Sequence, residues 1–358
     1  MPNRPYQDDI IRTVDMMFAE NKTRFTIQCP TGSGKTRIAV QLVKRMGSRR
    51  VLYVVPSTEI FKQTSTKLED LGVEHVRLEA GAKPDPYGQN VILAMSQTLA
   101  RRKSGEMFDM WSPDVIFIDE IHKLIGQHRS ISDMWKCPVI GLTATPVRLD
   151  GQNLSDLTPY LLQGPSIKSL QRDGYLVPCV TYHAPAPDIH GIKVTRGDYD
   201  SASLQDAYFR QGVLDVVPEH WKLRAMGRRT ITFAPGVDAS KKLVHVYKLR
   251  GIRAEHVDGN TPTRQREAAL NRLRTHKIDV LSNVGLFIEG LDVVEIECIT
   301  LCQPTKSVSR YIQQVGRGLR PSLASGKRNL VIIDHSSNTD THGRVDSGRD
   351  WVRGGRFI

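Results

Sequence analysis

The apolar residues of this chain fall in short unbroken runs rather than in alternation with polar ones. The first half carries FTIQC, RVLYVVP, NVILAM, DVIFID and PVIGLTATP; the second carries RTITFAP, RAEHVDG, DVLSNV, CITLCQP and NLVIIDH. A strand with one face in water alternates, so an unbroken run signals burial on both faces, as in a parallel sheet covered by helices. The segments between the runs are longer, more polar and of helical length. Strand and helix therefore alternate, which predicts the α/β class with two sets of strands, each a mostly parallel sheet with helices on both faces. A stretch richer in Pro, Gly and Asp, roughly 151–200 and including YHAPAPDIHG, separates the two sets. The expected domains are 1–177, ending in a linker from about residue 151, and 178–358. No low-complexity segment or short-period repeat interrupts the pattern.

Composition narrows the class. The 358 residues suffice for two domains with sizeable cores, and 39% hydrophobic with 25% charged residues is ordinary for a soluble globular chain. No stretch approaches the roughly 18 uninterrupted apolar residues of a membrane span, and MPNRPYQDDI lacks the apolar core of a secretory signal. The five cysteines, at 29, 137, 179, 298 and 302, have no zinc-like spacing. Cys298 and Cys302 share one face of a strand by their even spacing and read as buried thiols, so a reducing, cytoplasmic setting without membrane attachment is expected. The net charge of +12 favours a polyanionic partner, with nucleic acid the first candidate. The positive residues are dispersed, so no single binding stripe stands out.

The candidate chemistry begins at IQCPTGSGKTRIAV, where an apolar run enters a Gly-rich turn and leaves as a helix. This matches the phosphate-binding template G-x-x-x-x-G-K-[ST], with Cys29 in the first position and Gly34-Lys35-Thr36 closing the loop. In the loop Thr31-Gly32-Ser33-Gly34 the two glycines let backbone N–H groups turn inward on phosphate oxygens, and the helix N-terminus adds positive potential. Lys35 would reach the β- and γ-phosphates of ATP, and the Thr36 hydroxyl would bind Mg²⁺. A carboxylate pair follows a second run in VIFIDEIH. Asp119 is placed to hold the Mg²⁺, and Glu120 to polarise the attacking water as general base. Alone, such a pair reads as a solvated turn; after a phosphate loop in the same domain it reads as catalytic.

In order after PTGSGKT, the segments DEIH, GLTATP and QQVGRGLR resemble the superfamily 2 helicases and translocases. RPYQ near the start, SNVGLFIEGLDV and PTKSVSRYIQQVGRGLRP are similar to the DEAD/DEAH-type ResIII branch of phages and bacteria, akin to UvsW-like enzymes. The resemblance runs from about residue 3 to the Asp334 region. It implies two tandem RecA-like domains with ATP in the cleft between them and a nucleic-acid-dependent ATP hydrolase. The implied partner is nucleic acid, DNA favoured over RNA, and the implied state a monomer.

The same resemblance assigns roles along the chain. Arg4 and Gln7 become adenine contacts, and a Gln amide suits because it pairs with both a donor and an acceptor on the base edge. His122 would link the ATP site to the other domain, and Thr143 and Thr145 would couple hydrolysis to the grip on nucleic acid. In the second domain Gln313, Arg317 and Arg320 are expected to face the γ-phosphate, the arginines as fingers for charge spreading over the transferred oxygens. Gly290 and Asp292 match a nucleotide contact. Nucleic-acid contacts are implied at Pro56 and Thr58, at Gln97 and Thr98, at Gly259 and Thr261, and at Ser282 and Asn283. These small polar residues suit phosphate contacts, which position a strand without reading its sequence.

Departures from the family pattern are informative. Cys29 replaces the usual small residue of the loop, and a thiol there would make the site sensitive to oxidation. DEIH in place of DEAD and TAT in place of SAT argue against the RNA-specific DEAD-box group. Two other readings stand beside the helicase: a double-strand DNA translocase or motor subunit needing a partner nuclease, and a nucleotide-gated binding protein with slow hydrolysis. No PD-x-E-x-K nuclease pattern occurs, and Lys35, Glu120 and Arg317 together exceed what a binder needs. The tail THGRVDSGRDWVRGGRFI is expected to dock on the second domain, with base stacking by Trp351 and Phe357 as the alternative.

Overall fold

A computed structural model describes residues 2–79, 89–101, 111–148, 154–195, 197–287, 293–352 and 356–357. The chain divides into two compact units, Met1–Ser166 with Asp350–Gly355, and Ile167–Arg349 with Arg356–Ile358.

The first unit runs α1 (Pro5–Ala19), β1 (Arg24–Gln28), α2 (Lys35–Arg45), β2 (Val51–Val55), α3 (Thr58–Asp70), β3 (Val76–Leu78), β4 (Val91–Met95), α4 (Ser96–Arg101), β5 (Val115–Asp119), α5 (Ile125–Met134), β6 (Val139–Thr143) and β7 (Tyr160–Gln163). The strands pair in parallel in the order β3-β4-β2-β5-β6-β1-β7. Side chains alternate across a strand, so each central strand feeds two cores. Phe25, Ile27, Tyr53, Phe117 and Leu142 pack with Val14 of α1, Val40 of α2 and Phe61 of α3. Leu52, Val54, Ile116 and Ile118 pack instead with Leu99 of α4, Ile131 of α5, and Leu154 and Leu157. Burying one such side chain is worth about 1.5–3 kcal/mol, and only strands apolar on both faces gain it twice over.

The second unit runs α6 (Ile167–Arg172), β8 (Cys179–His183), β9 (Val194–Thr195), β10 (Asp198–Tyr199), α7 (Ser201–Arg210), α8 (Val213–Ala225), β11 (Thr230–Phe233), α9 (Val237–Leu249), β12 (Ala254–Val257), α10 (Thr263–Arg274), β13 (Val280–Asn283), β14 (Cys298–Leu301), α11 (Val308–Gly316), a 3₁₀ turn at Arg317–Leu319, β15 (Leu330–Asp334) and α12 (Asn338–His342). Its main sheet is parallel in the order β12-β13-β11-β14-β15-β8. Val280, Val331 and Ile333 pack with Tyr208, Trp221, Leu243 and Tyr247 of α7, α8 and α9, and both Cys298 and Cys302 sit in this core. Among the described residues, no helix is long and apolar enough to cross a membrane.

The two parallel sheets are those the runs predict, and each of the ten runs is a strand. In the two main sheets three strands carry no such run, β3, β7 and β8, each at a sheet edge; nor do β9 and β10, which pair with each other. The residues of β3, β7 and β8 are mixed in burial, because an edge strand has a neighbour on one side only. The stretch 151–200 is therefore not a linker throughout. It contributes β7 to the first sheet and α6 and β8 to the second unit, and the units divide between Ser166 and Ile167 rather than at 177–178. The tail meets expectation only in part: residues 341–349 lie in the second unit, as expected, but the next segment does not. Asp350–Gly355 belongs to the first unit, and Trp351, 8% exposed, lines a hollow there with Thr26, Pro146, Leu154 and Thr158. Its ring is thus spent on packing, and base stacking is not open to it as placed. Phe357 has no described side chain.

Candidate active site

The register of the first sheet sets the site. Gln28, the last residue of β1, pairs with Thr143 at the end of β6, and Asp119 at the end of β5 pairs with Leu142. The C-terminal ends of three adjacent strands thus bring together the loop at 29–34, the pair Asp119–Glu120 and the segment 143–145. This edge is where open parallel sheets bind ligands.

The loop's geometry follows from its glycines. Gly32 and Gly34 have φ of +85° and +87°, the left-handed region that glycine enters without cost. A Cβ on Gly34 would also lie 2.7 Å from Gln7 Nε2, so the position is closed to larger residues twice over. Lys35 opens α2, and no side chain caps that helix start, which leaves its first N–H groups to an anionic ligand. Lys35 and Thr36 are half-buried. Ser33 folds back, its Oγ donating to Pro30 O at 2.7 Å.

Gln7 braces this loop directly. Its Nε2 donates to Ser33 O at 3.1 Å, and its Oε1 accepts from Arg4 N at 3.0 Å. The Tyr6 hydroxyl donates to the same Ser33 carbonyl. With Gln7 only 2% exposed, its amide holds the loop in shape, one proton and one lone pair remaining for a base. Arg4 caps α1 and donates from Nη1 to Tyr6 Oη at 3.1 Å. Tyr6 went unnoticed in the sequence because a tyrosine between Pro5 and Gln7 reads as packing.

The carboxylates are held in a dry pocket. Asp119 is 4% exposed and its Oδ1 accepts from Glu120 N at 2.9 Å. Burial pushes the Asp119 carboxyl well up, the Glu120 charge adds to this, and Lys35 opposes it. Such a site is short of positive charge, which a divalent cation beside Thr36 and Asp119 would supply. Among the described residues no cluster of three or more His, Cys, Asp or Glu could hold a metal alone. That suits Mg²⁺, which keeps waters and takes substrate phosphates as ligands. Glu120 has φ of +47°, an unusual setting for a residue with a side chain, and such settings cluster at functional sites.

His122 ties the acidic turn to the next motif. Its Nδ1 lies 2.8 Å from Thr143 Oγ1 and 3.4 Å from Glu120 Oε2. Thr143 Oγ1 in turn accepts from Thr145 N at 3.0 Å, and Gln28 Nε2 donates to Ala144 O at 3.0 Å. Burial pushes His122 down to about 4, so it is neutral at physiological pH. Glu120, His122, Thr143 and Thr145 therefore form one connected set, joined to the loop where Cys29 N donates to Thr143 O at 3.0 Å.

Cys29 corrects one expectation. It is 0% exposed, its backbone N–H donates to Thr143 O at 3.0 Å, and burial pushes its thiol up to about 12. The reactive thiolate is thus scarce and shielded, and the oxidation sensitivity expected from the sequence does not follow. In the native protein at pH 8, iodoacetamide should leave Cys29 unmodified while labelling it fully in 6 M guanidinium, as read by peptide mass spectrometry. Native labelling at the rate of a free thiol would contradict this placement.

In the second unit, α11 carries Gln313, which is buried, and the 3₁₀ turn carries Arg317, with Arg320 directly after it. Arg317 and Arg320 are half-buried. Gly290 and Asp292 lie outside the described residues. Of the implied nucleic-acid contacts, Thr58, Gln97 and Gly259 are exposed, and Pro56 and Thr261 are half-buried. Thr98, Ser282 and Asn283 are buried; Ser282 Oγ lies 2.7 Å from Ser240 Oγ, and Asn283 Nδ2 donates to Thr232 O at 2.9 Å. These last two side chains hold the sheet edge together in this arrangement. The Thr261 hydroxyl and amide both bond Asp258 Oδ1, at 3.1 and 3.0 Å, a turn-closing role that Asp258 did not advertise in sequence.

Comparison with known proteins supplies the family. Residues 1–148 match the family described as "Type III restriction enzyme, res subunit" (ResIII), and residues 212–322 match "Helicase conserved C-terminal domain". The chain is similar to a 51.5 kDa protein of a Lactococcus phage, 31% identical over 329 residues, covering 91% of this chain and 68% of that one. It is also similar to the Saccharomyces cerevisiae protein named "Putative ATP-dependent helicase IRC3", 31% identical, covering 92% of this chain and 51% of the yeast protein. In fold it is similar to the type ISP restriction-modification enzyme LlaBIII, solved bound to DNA, with TM-score 0.71 at 18% identity over 94% of this chain and 28% of that one. The chain spans about half to two thirds of these relatives' own length. On the shared motifs, the two parallel sheets and these matches, it belongs to the ResIII branch of the superfamily 2 helicases.

Proposed function

We propose that this ATP-dependent helicase-family enzyme couples hydrolysis of Mg-ATP to movement along nucleic acid, with DNA as its track. The observation that carries this reading is a set of contacts meeting at Thr143: His122 Nδ1 lies 2.8 Å from Thr143 Oγ1 and 3.4 Å from Glu120 Oε2, Thr145 N donates to the same Oγ1, and Cys29 N of the loop donates to Thr143 O. A protein that merely binds nucleotide needs the loop; it does not need a carboxylate wired to a neighbouring strand end.

In this reading the loop N–H groups and Lys35 hold the phosphates, and Gln7 keeps the loop open in its bound shape. Thr36 and Asp119 would hold Mg²⁺, which when bound neutralises phosphate charge. Glu120 takes a proton from the attacking water at its carboxylate, in a pocket dry enough to keep competing water out. His122, neutral, passes any displacement of Glu120 to Thr143 as a shift in one hydrogen bond. Arg317 and Arg320 contribute cationic charge to the transferred phosphoryl group. Thr58 at the start of α3, Gln97 in the first turn of α4 and Gly259 beyond β12, all exposed, contact the polymer backbone. Nothing in these contacts reads base identity, and the preference for DNA rests on the family and on the DNA-bound fold relative.

The test is steady-state ATP turnover alone and with single-stranded DNA, forked DNA and matched RNA. Stimulation by DNA above RNA is expected. Turnover indifferent to every polymer would sink the motor reading. A second reading, a motor subunit serving a partner nuclease, is favoured by the restriction-enzyme family match. It predicts DNA-stimulated turnover without displacement of a labelled strand by this chain alone.

A further inference from the structure

A buried imidazole outside the motifs joins three of the turns just described. His128, on α5, is 0% exposed. Its Nδ1 lies 3.1 Å from Ile121 O, and its Nε2 lies 3.0 Å from Ser96 Oγ. Ser96 Oγ lies in turn 3.3 Å from Val55 O, and Ser96 and Val55 are also 0% exposed. Ile121 follows the Asp119–Glu120 pair. Val55 ends β2 ahead of Pro56 and Thr58, and Ser96 begins α4 ahead of Gln97 and Thr98. Strand β2 lies between β4 and β5 in the sheet, so these turns share its C-terminal edge.

The protons in this cluster can be placed by chemistry. A carbonyl oxygen only accepts, so Nδ1 must carry the hydrogen it donates to Ile121 O. Burial pushes His128 down to about 4, so the ring is neutral and Nε2 is an acceptor. The Ser96 hydroxyl then has one proton and two acceptors in reach, Nε2 and Val55 O. Donating to one leaves the other without it. Each arrangement makes one hydrogen bond from this hydroxyl and they differ only in its partner, so both are thermally accessible, and a shift of a few tenths of an ångström in either turn selects between them. A hydroxyl placed so is a two-state element rather than filler.

We propose that His128, acting with Ser96, is a positioning residue that transmits polymer contact at Pro56, Thr58 and Gln97 to the setting of the Asp119–Glu120 turn. This rests on the reading of the chain as a polymer-stimulated ATPase. Neither residue touches phosphate or the attacking water, so their loss alters the link and spares the basal chemistry.

The test measures ATP turnover against single-stranded DNA concentration for wild type, Ser96→Ala and His128→Gln. Ser96→Ala removes only the hydroxyl. It should keep basal turnover and the half-stimulating DNA concentration within about twofold, while the ratio of stimulated to basal turnover falls about tenfold, within the usual range of coupling between sites. His128→Gln keeps a donor and an acceptor on a side chain of similar reach and should retain most of the ratio. An unchanged ratio in Ser96→Ala overturns the proposal. So does an equal fall in basal and stimulated turnover, the signature of a residue that only supports the fold. Wild type that no polymer stimulates overturns the motor reading and this inference together, whereas stimulated wild type with an equally stimulated Ser96→Ala overturns this inference alone.

Discussion

Replacing Glu120 by Gln is expected to lower polymer-stimulated ATP turnover by about 10²–10⁴-fold while leaving nucleotide affinity close to the wild-type value. The substitution is nearly isosteric, and Glu120 is 8% exposed, so the change swaps one oxygen for NH₂ without opening a cavity. The backbone bond from residue 120 N to Asp119 Oδ1 does not involve the side chain and persists. His122 keeps its 2.8 Å contact to Thr143. What disappears is the lone pair that takes the water's proton, since an amide is not a base near neutral pH. Phosphate release gives the turnover, and titration calorimetry with a non-hydrolysed ATP analogue gives the affinity. Turnover within tenfold of wild type would place the general base elsewhere.

The second large effect is expected at Arg317. Arg317→Ala should reduce stimulated turnover about 10³-fold with unfolding temperature unchanged, and Arg317→Lys should recover little of it. The backbone explains why the fold survives. Gly318 lies so flat on the sheet that an added Cβ would meet Leu330 at 2.5 Å and Ile299 at 3.0 Å, and Leu319 is 0% exposed. The turn is therefore pinned by its neighbours on the chain, and trimming the Arg317 side chain leaves it in place. Lysine keeps the charge but not the planar fork that spans two phosphate oxygens. Arg320→Ala is a mixed case. Burial pushes the Lys327 amine down to about 7 and Arg320 adds to this, so removing Arg320 also shifts a structural amine upward. Full turnover in Arg317→Ala would remove this residue from the chemistry.

Much of this molecule was legible without coordinates, and the parts that were not have a common cause. Central strands announced themselves because burial on both faces demands apolar residues at every position, as in Val51–Val55 and Val115–Asp119. Of the four edge strands only Ala254–Val257 did, and the others, such as Tyr160–Gln163, did not, because half their surface is free to be polar. The loop at 30–36 was legible because glycine at 32 and 34 is a steric requirement, and the φ values of +85° and +87° show the requirement being used. The bracing of that loop by Tyr6 and Gln7, across 27 and 26 residues of chain, was not.

The amino-acid sequence alone therefore determined the fold class, the glycine turns of the loop after β1, the place of the acidic pair after β5 and the family. Each rests on local residue type, where backbone sterics, periodic burial or charge leave few alternatives. Only the tertiary structure decided the partners of buried polar groups. It directed Ser282 and Asn283 inward, kept the Cys29 thiol protonated, seated Trp351 on the first unit, and joined His128 to Ser96 and Ile121. A buried hydrogen bond is satisfied by whichever atom the packing brings within about 3 Å. That atom can come from any distance along the chain, and no local pattern of residues records it.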